Sequence, residues 1–251
     1  MHSASARLFV FAHLTFIAAC LASFSAQAQW SAKAEAGAVA ARGNTTTDSA
    51  NAMVDIAREF IAWKHSLGLS AVYASDEIGA TGQRWSARAQ SDYKLHPRGF
   101  AFGSARYEED RFSGFEYQTT YGAGLGWRFF DDPVTKLITQ VGAGFKKSRT
   151  RASFADDEIT VILEERREEL VGQASVDFER ALTATTTLVD KLLVESGATN
   201  TFVQNDFSVQ VKIMNSLALA VGYSIRYNTE PPEGFDEMDT LTTLNLVYEL
   251  Q

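Results

Sequence analysis

The sequence predicts an all-β fold, a transmembrane antiparallel up-and-down β-barrel of about 12 strands. Three observations predict it. Apolar and other residues alternate with period 2 in window after window along the chain, which is the signature of strands with two unlike faces. The non-apolar face is rich in Gly, Ser and Gln, where a soluble two-layer sheet would turn many Lys and Glu to water. Past the N-terminus no run of about 18 apolar residues occurs. A chain of this kind crosses a membrane only by closing into a barrel, because an open sheet edge has no hydrogen-bond partner in lipid.

Residues 1–28 read as a cleaved signal peptide. Arg7 supplies a short positive region, residues 8–24 are mostly apolar apart from His13, and Ala26-Gln27-Ala28 forms an A-x-A site. Ile17-Ala18-Ala19-Cys20 offers a second reading as a lipobox with an acylated Cys20. The A-x-A site lies beside Trp30, where patterned sequence begins, and this favours plain cleavage. Residues 29–251 then form the barrel domain.

Strands are expected near 30–42, 49–58, 63–75, 84–95, 99–110, 114–129, 136–149, 165–179, 185–196, 201–212, 217–228 and 239–250. The best window puts Phe115, Tyr117, Thr119, Tyr121, Ala123, Leu125, Trp127 and Phe129 on one face, with Gly122, Gly124, Gly126 and Arg128 on the other. The apolar face is expected to meet lipid, and the small polar face to line a lumen filled by small groups and water. An arginine at Leu125 should therefore cost about 2–4 kcal/mol at mid-bilayer, whereas one at Gly124 should be better tolerated. All prolines (Pro97, Pro133, Pro231 and Pro232) fall between strands, as the missing N–H requires. Trp30, Trp63, Trp85 and Trp127 all fall near strand ends, the place of interfacial aromatic girdles. Short connections (60–62, 96–98, 130–135, 214–216) alternate with longer ones (77–83, 150–164, 229–238), with 43–48 and 111–113 as short exceptions on the longer side.

Two regions fit less simply. Ile159, Ile162, Leu163 and Leu170 have near-helical spacing, so a helix is an alternative within 156–184. In 99–110, Phe100 and Phe102 share a face with Arg106 and Glu108, for which a bulge is the expected explanation.

Gly43-Asn44-Thr45, the stretch Tyr107-Glu108-Glu109-Asp110-Arg111-Phe112-Ser113-Gly114, and Gly122-Ala123-Gly124-Leu125-Gly126-Trp127 resemble the DUF481 family. Its members are often described as YdiY-like salt-induced outer-membrane proteins. The resemblance spans residues 30–251 and implies a Gram-negative outer-membrane barrel with no established biochemical activity. Its naming suggests a tie to salt or osmotic stress. The chain departs from the common aromatic C-terminus of such barrels, ending Tyr248-Glu249-Leu250-Gln251, so recognition by the barrel assembly machinery would rest on Tyr248.

The residues supply little for catalysis. Of 4 His, His2 and His13 belong to the signal segment, while His65 and His96 fall at short turns. Neither can be placed with a Ser and a carboxylate on the outer half, so structural turn roles are expected for both. The glycines at 122, 124 and 126 have period 2 and no following helix, which excludes a dinucleotide loop. Asp131-Asp132 and Asp156-Asp157-Glu158 match no calcium-loop spacing and read as solvated turns. The run from Glu164 to Glu169 reads as a salt-laced hairpin. No cofactor or metal is expected. With a net charge of −8 over 251 residues, the chain is not a nucleic-acid binder.

The lumen remains. Arg84, Arg88, Asp92, Lys94, Arg128, Lys146, Asp177, Glu179, Asp206, Lys212 and Arg226 are expected to point inward. They would set the selectivity of an open passage, or pair across the lumen and plug it. The expected function is a monomeric, non-enzymatic outer-membrane barrel, serving envelope integrity or the passage of small ions or solutes. Expected partners are outer-membrane lipid and lipopolysaccharide and the assembly machinery. The alternatives are a hydrolase or acyltransferase barrel, and a soluble periplasmic β-sandwich carrier.

Overall fold

A computed structural model describes residues 30–250 apart from 42–46, 77–78, 112, 152, 155–160 and 163. Residues 1–28, with Cys20 and the expected signal peptide, lie outside the described residues, as do Gly43-Asn44-Thr45 and Asp156-Asp157-Glu158. The strands are β1 (Trp30–Ala41), β2 (Thr47–Glu59), β3 (Trp63–Ser75), β4 (Ala80–Lys94), β5 (Gly99–Asp110), β6 (Phe115–Asp131), β7 (Thr135–Thr150), β8 (Ser153–Phe154), β9 (Val161–Ile162), β10 (Arg166–Ala181), β11 (Thr186–Ser196), β12 (Thr201–Met214), β13 (Leu217–Asn228) and β14 (Met238–Leu250). Twelve of them close a barrel in the order β1-β14-β13-β12-β11-β10-β7-β6-β5-β4-β3-β2, and β8 and β9 form a separate two-stranded ribbon. Each barrel strand is antiparallel to its neighbours, and β1 closes the ring on β14 from Ala32↔Leu250 to Gly37↔Asn245. All twelve strands expected from the alternation are present. The helical alternative fails over Arg166–Ala181, which is strand β10 paired with both β7 and β11.

Alternation sets the outward face. Leu67, Leu69, Leu125, Val141, Leu170, Phe207, Val221 and Leu244 are all exposed. In a barrel standing in water such a surface would cost free energy over its whole girth, whereas in lipid it is the solvated one. The tryptophans and several tyrosines frame this band. Trp30, Trp63, Tyr93 and Trp127 ring the end where the turns are short, and Trp85 and Tyr73 stand at the other. At the short turns the backbone is tied locally. The exposed carboxylate of Asp132 accepts hydrogen bonds from the N–H groups of Val134 and Thr135, both at 2.9 Å. These bonds, that of Thr135 first, hold its pKa below the usual carboxylate range.

Two expectations about facing are corrected. Strand β5 has an unbroken register with β4 and with β6 over its paired residues, so no bulge changes its face. Phe100 and Phe102 instead point inward and are buried. Phe115, expected outward, is also buried, because the register of β6 on β7 shifts between Phe115 and Tyr117 and turns Phe115 in beside Thr150.

Candidate functional site

The lumen is where unlike strands can bring chemistry together, and the two sides of it are built differently. On one side, glycine makes room for aromatic rings. A Cβ on Gly126 would lie 2.1 Å from Phe100 Cζ, and one on Gly124 would lie 2.9 Å from Phe102 Cε1 and 2.2 Å from the Val141 carbonyl oxygen. The Gly-rich face of β6 therefore accommodates two phenylalanines from β5 and the close backbone of β7, rather than water. The Arg128 guanidinium lies over the Phe100 ring at 4.6 Å and is buried. Gly124→Arg is accordingly an overpacking change, contrary to the tolerance expected from facing alone.

Towards the long-loop end a charge network crosses the lumen. Arg226 of β13 donates to Glu108 of β5, and these strands are diametrically opposite in the ring. Arg226 also lies 3.5 Å from Asp110, which Arg84 approaches at 3.8 Å. Arg106 pairs with Glu108 at 2.7 Å and with Glu195 of β11 at 3.6 Å. Glu195, 2% exposed, also takes Lys146 at 3.3 Å and a hydrogen bond from Gln173 at 3.2 Å. Phe202, 1% exposed, sits among the cations: Arg106, Lys146 and Arg226 lie 5.0, 5.3 and 5.1 Å from its ring centre. Desolvated charges persist only when paired and hydrogen-bonded, and this arrangement meets that condition.

Above the network the mouth is partly covered. Gly114 has φ +76°, and a Cβ there would lie 2.6 Å from Phe235 and 2.8 Å from Pro232. The loop 229–237 between β13 and β14 thus reaches the β5–β6 turn on the far wall. It is held at its root by Asn200, whose Oδ1 accepts from the Glu230 N–H at 3.1 Å and from Thr229 Oγ1 at 3.2 Å.

The other side of the lumen is small and wet. Arg88 of β4 reaches over Gly68 of β3 to Asp55 of β2 at 2.7 Å. The side chains are 55% and 24% exposed although both lie within the barrel wall's inner face. Ser70 and Ser86 hydrogen-bond at 2.8 Å beside them, half-buried. Next to β1, Asn51 donates to Asn245 at 3.0 Å over Gly37. Between β3–β4 and β13–β14 a cavity of about 170 Å³ is lined by Val72, Arg84, Asp110, Ser224, Arg226 and Asp239, among others.

The expected lumen residues divide between these settings. Arg84, Lys146 and Arg226 join the cross-lumen network. Asp206 accepts from Ser224 at 2.5 Å and from Gln204 at 2.7 Å on the same side. Asp92 is buried and accepts from Gln90 at 2.7 Å. Arg128 is packed on Phe100. Lys94 pairs with Glu59 at 2.6 Å and Glu179 with Lys136 at 3.4 Å, both near the short-turn mouth, where Lys212 is exposed. Asp177 is half-buried on the inner face of β10. Arg88 alone of the eleven stands mid-wall on the wet side.

Alternation did not single out Arg106, Glu108, Asp110, Glu195 and Phe202. Glu108 and Asp110 lie within the stretch 107–114 that carried the family resemblance, which was the available signal. The histidines are elsewhere. His96 stacks on Trp127 at 5.9 Å. His65 Nδ1 lies 2.8 Å from Ser91 Oγ on the outward face, with no carboxylate hydrogen-bonded to it among the described residues. No cluster of three or more His, Cys, Asp or Glu side chains is placed to hold a metal ion among the described residues.

Comparison with known proteins gives one family and one fold. The family model described as "Protein of unknown function, DUF481" matches residues 34–250. The "Uncharacterized protein YdiY" of Escherichia coli (strain K12) is 27% identical over 229 residues, covering 90% of this chain and 85% of that protein. Among solved structures, the translocator domain of the autotransporter NalP from Neisseria meningitidis is similar with a TM-score of 0.52 at 13% identity, covering 98% of this chain and 97% of that one. The NanC porin is similar with a TM-score of 0.51 at 8% identity, covering 88% of this chain and 100% of that one. At these identities the likeness concerns the barrel fold.

Proposed function

The chain belongs to the DUF481 family, and from that premise we propose that it is a non-enzymatic outer-membrane barrel that passes small ions along its β1–β4 wall. The observation that carries this reading is the Arg88–Asp55 pair. It stands mid-wall on the inner face, yet the Arg88 side chain is 55% exposed, so water reaches the interior beside it. Among the described residues the far side is filled by Phe100, Phe102, Phe202 and buried ion pairs. A narrow, charged path of this kind selects by charge and size.

Location in the outer membrane is supported by the outward face. From Trp63 to Tyr73, ten residue steps of β3 span about 33 Å along the strand, or about 25 Å along the axis at a tilt near 40°. That is the height of the apolar band of outer-membrane barrels. The solved barrels of like fold are, by their titles, a porin and an autotransporter translocator domain. The short turns and both chain ends of the barrel then face the periplasm, and the loop 229–237 faces outward. A tie to salt or osmotic stress accords with a passage for small ions. A second reading, a sealed scaffold for envelope integrity, draws on the Arg226–Glu108 crossing and the covered mouth.

Planar-bilayer recording of the refolded chain without residues 1–28 separates the two. The passage predicts small discrete openings, and Arg88→Glu should shift ion preference towards cations. A barrel that is folded by its heat-dependent gel mobility yet electrically silent would leave the scaffold.

A further inference from the structure

The outward face at the short-turn end carries a polar row that the lumen does not use. Trp30, Arg58, His65 and Ser91 stand directly opposite one another across β1 to β4. The outward positions of β2 read Ala52, Val54, Ile56 and then Arg58. A lipid-facing strand thus ends in a cation at the height of the tryptophans. The guanidinium lies 5.0 Å from the Trp30 ring centre and 4.7 Å from that of Phe60. His65 stacks on Trp63 at 5.8 Å, and Trp63 meets Tyr93 at 4.9 Å. Ser91 Oγ is held 2.8 Å from His65 Nδ1.

Two features of Arg58 leave its guanidinium short of acceptors within the barrel. Its Nε is buried and makes no hydrogen bond. No carboxylate pairs with it among the described residues. A donor buried without an acceptor is costly. Rings on two sides hold the fork in place and lower its hydration. A planar fork of N–H donors matches the oxygens of a phosphate. At the level of an aromatic girdle the groups that meet a barrel are lipid headgroups.

We propose that Arg58, with His65 and Ser91 beside it, binds the phosphodiester of an anionic phospholipid in the leaflet at the short-turn end. The site rests on the membrane reading above. Trp30 and Phe60 fix the guanidinium, Ile56 and Leu67 meet the acyl chains, and the hydroxyl and imidazole offer further polar contacts to the headgroup.

The test uses the barrel in nanodiscs of phosphatidylcholine, with phosphatidylglycerol substituted stepwise and the Arg58 Nε–Hε signal followed by NMR. A saturable shift with phosphatidylglycerol, absent with inorganic phosphate at equal concentration, is the expected result. Native mass spectrometry should show Arg58→Gln losing the most strongly retained phosphatidylglycerol. Equal retention by Arg58→Gln, or the same shift from free phosphate, overturns the proposal. Should Arg58→Gln fail to insert, Arg58→Lys keeps the charge without the fork and should retain less lipid than the native chain; unchanged retention again overturns it. If the native chain does not enter the discs at all, the membrane reading itself falls, and this site with it.

Discussion

The wall from β1 to β4 and the wall from β5 to β13 present the same apolar face to the outside and opposite faces to the lumen. Leu69 and Leu125, one on each wall, are 48% and 59% exposed. Inward, the first wall offers Asn51, Asp55, Ser66, Gly68, Ser70 and Ser86, short groups that leave space and stay half-exposed apart from Gly68. The second offers Phe100, Phe102, Arg106, Glu108, Arg128, Lys146, Glu195, Phe202 and Arg226, long groups that fill the space. A sheet's outer face is dictated by its solvent, which is uniform around the ring. Its inner face is dictated by what the opposite strand sends across, which is not.

The comparison breaks most visibly under changes of charge. Glu195→Gln removes the counter-charge of Lys146 and part of that of Arg106, both held in the packed half. It should cost about 3–5 kcal/mol, the penalty for stranding a buried ion. Asp55→Asn on the wet wall should cost less than about 1 kcal/mol, as for solvated pairs. Urea unfolding in lipid vesicles reads both, and equal costs would erase the distinction between walls.

Leu125→Arg and Leu69→Arg ask whether the outer faces are alike. Each should cost about 2–4 kcal/mol near the bilayer centre and lower the folded fraction on a gel. A large difference between them would mean that the two walls do not share one solvent.

Volume changes should be felt on the inner face of the packed wall and not on its outer face. Gly126→Ala places a methyl group against the Phe100 ring and should destabilise by about 1–3 kcal/mol. Phe100→Leu in the same chain should recover part of this, which a double-mutant cycle detects. Gly103→Ala, with nothing within 4 Å of the new atom, should be close to neutral.

The smallest effect lies at the short turn after β6. The folded carboxylate of Asp132 titrates below its unfolded value because of the two backbone donors. It therefore adds stability above the unfolded pKa, and that stability is lost as pH falls through the folded one. Asp132→Asn should abolish this slight acid sensitivity of the gel-shift temperature while leaving values at neutral pH almost unchanged.

The strands were legible because solvent writes the period-2 pattern into every one of them, and no partner needs to be known to read it. The contents of the lumen were legible only in part. Arg84, Lys146 and Arg226 show their facing by parity, yet their partners lie on distant strands: Glu108 stands 118 residues from Arg226 and Glu195 49 from Lys146. Separation along the chain hides such pairs, since only barrel closure fixes which strands oppose. The position of Phe100 and Phe102 did have a local cue. In register with β6 they face Gly126 and Gly124, so a large residue stands opposite an absent side chain. Reading β5 alone, two phenylalanines beside Arg106 suggest a change of face; reading β5 against β6 they do not. The stretch 107–114 combines both kinds of information. Glu108 and Asp110 close the network, Tyr107 meets Trp85 at 4.9 Å on the outside, and Gly114 lets the loop 229–237 approach.

Cysteine labelling tests the central claim, one wet wall facing one packed wall, most directly. The chain has 1 Cys, Cys20, so the chain without residues 1–28 carries none. Ser70→Cys and Ser86→Cys would place a thiol on the β1–β4 side. Thr120→Cys and Ser148→Cys would place one among residues 4% and 8% exposed on the other. With the barrel in vesicles, a small charged methanethiosulfonate should modify the first two rapidly and leave the last two protected until unfolding. Modification of all four at similar rates, or of none, would contradict the account.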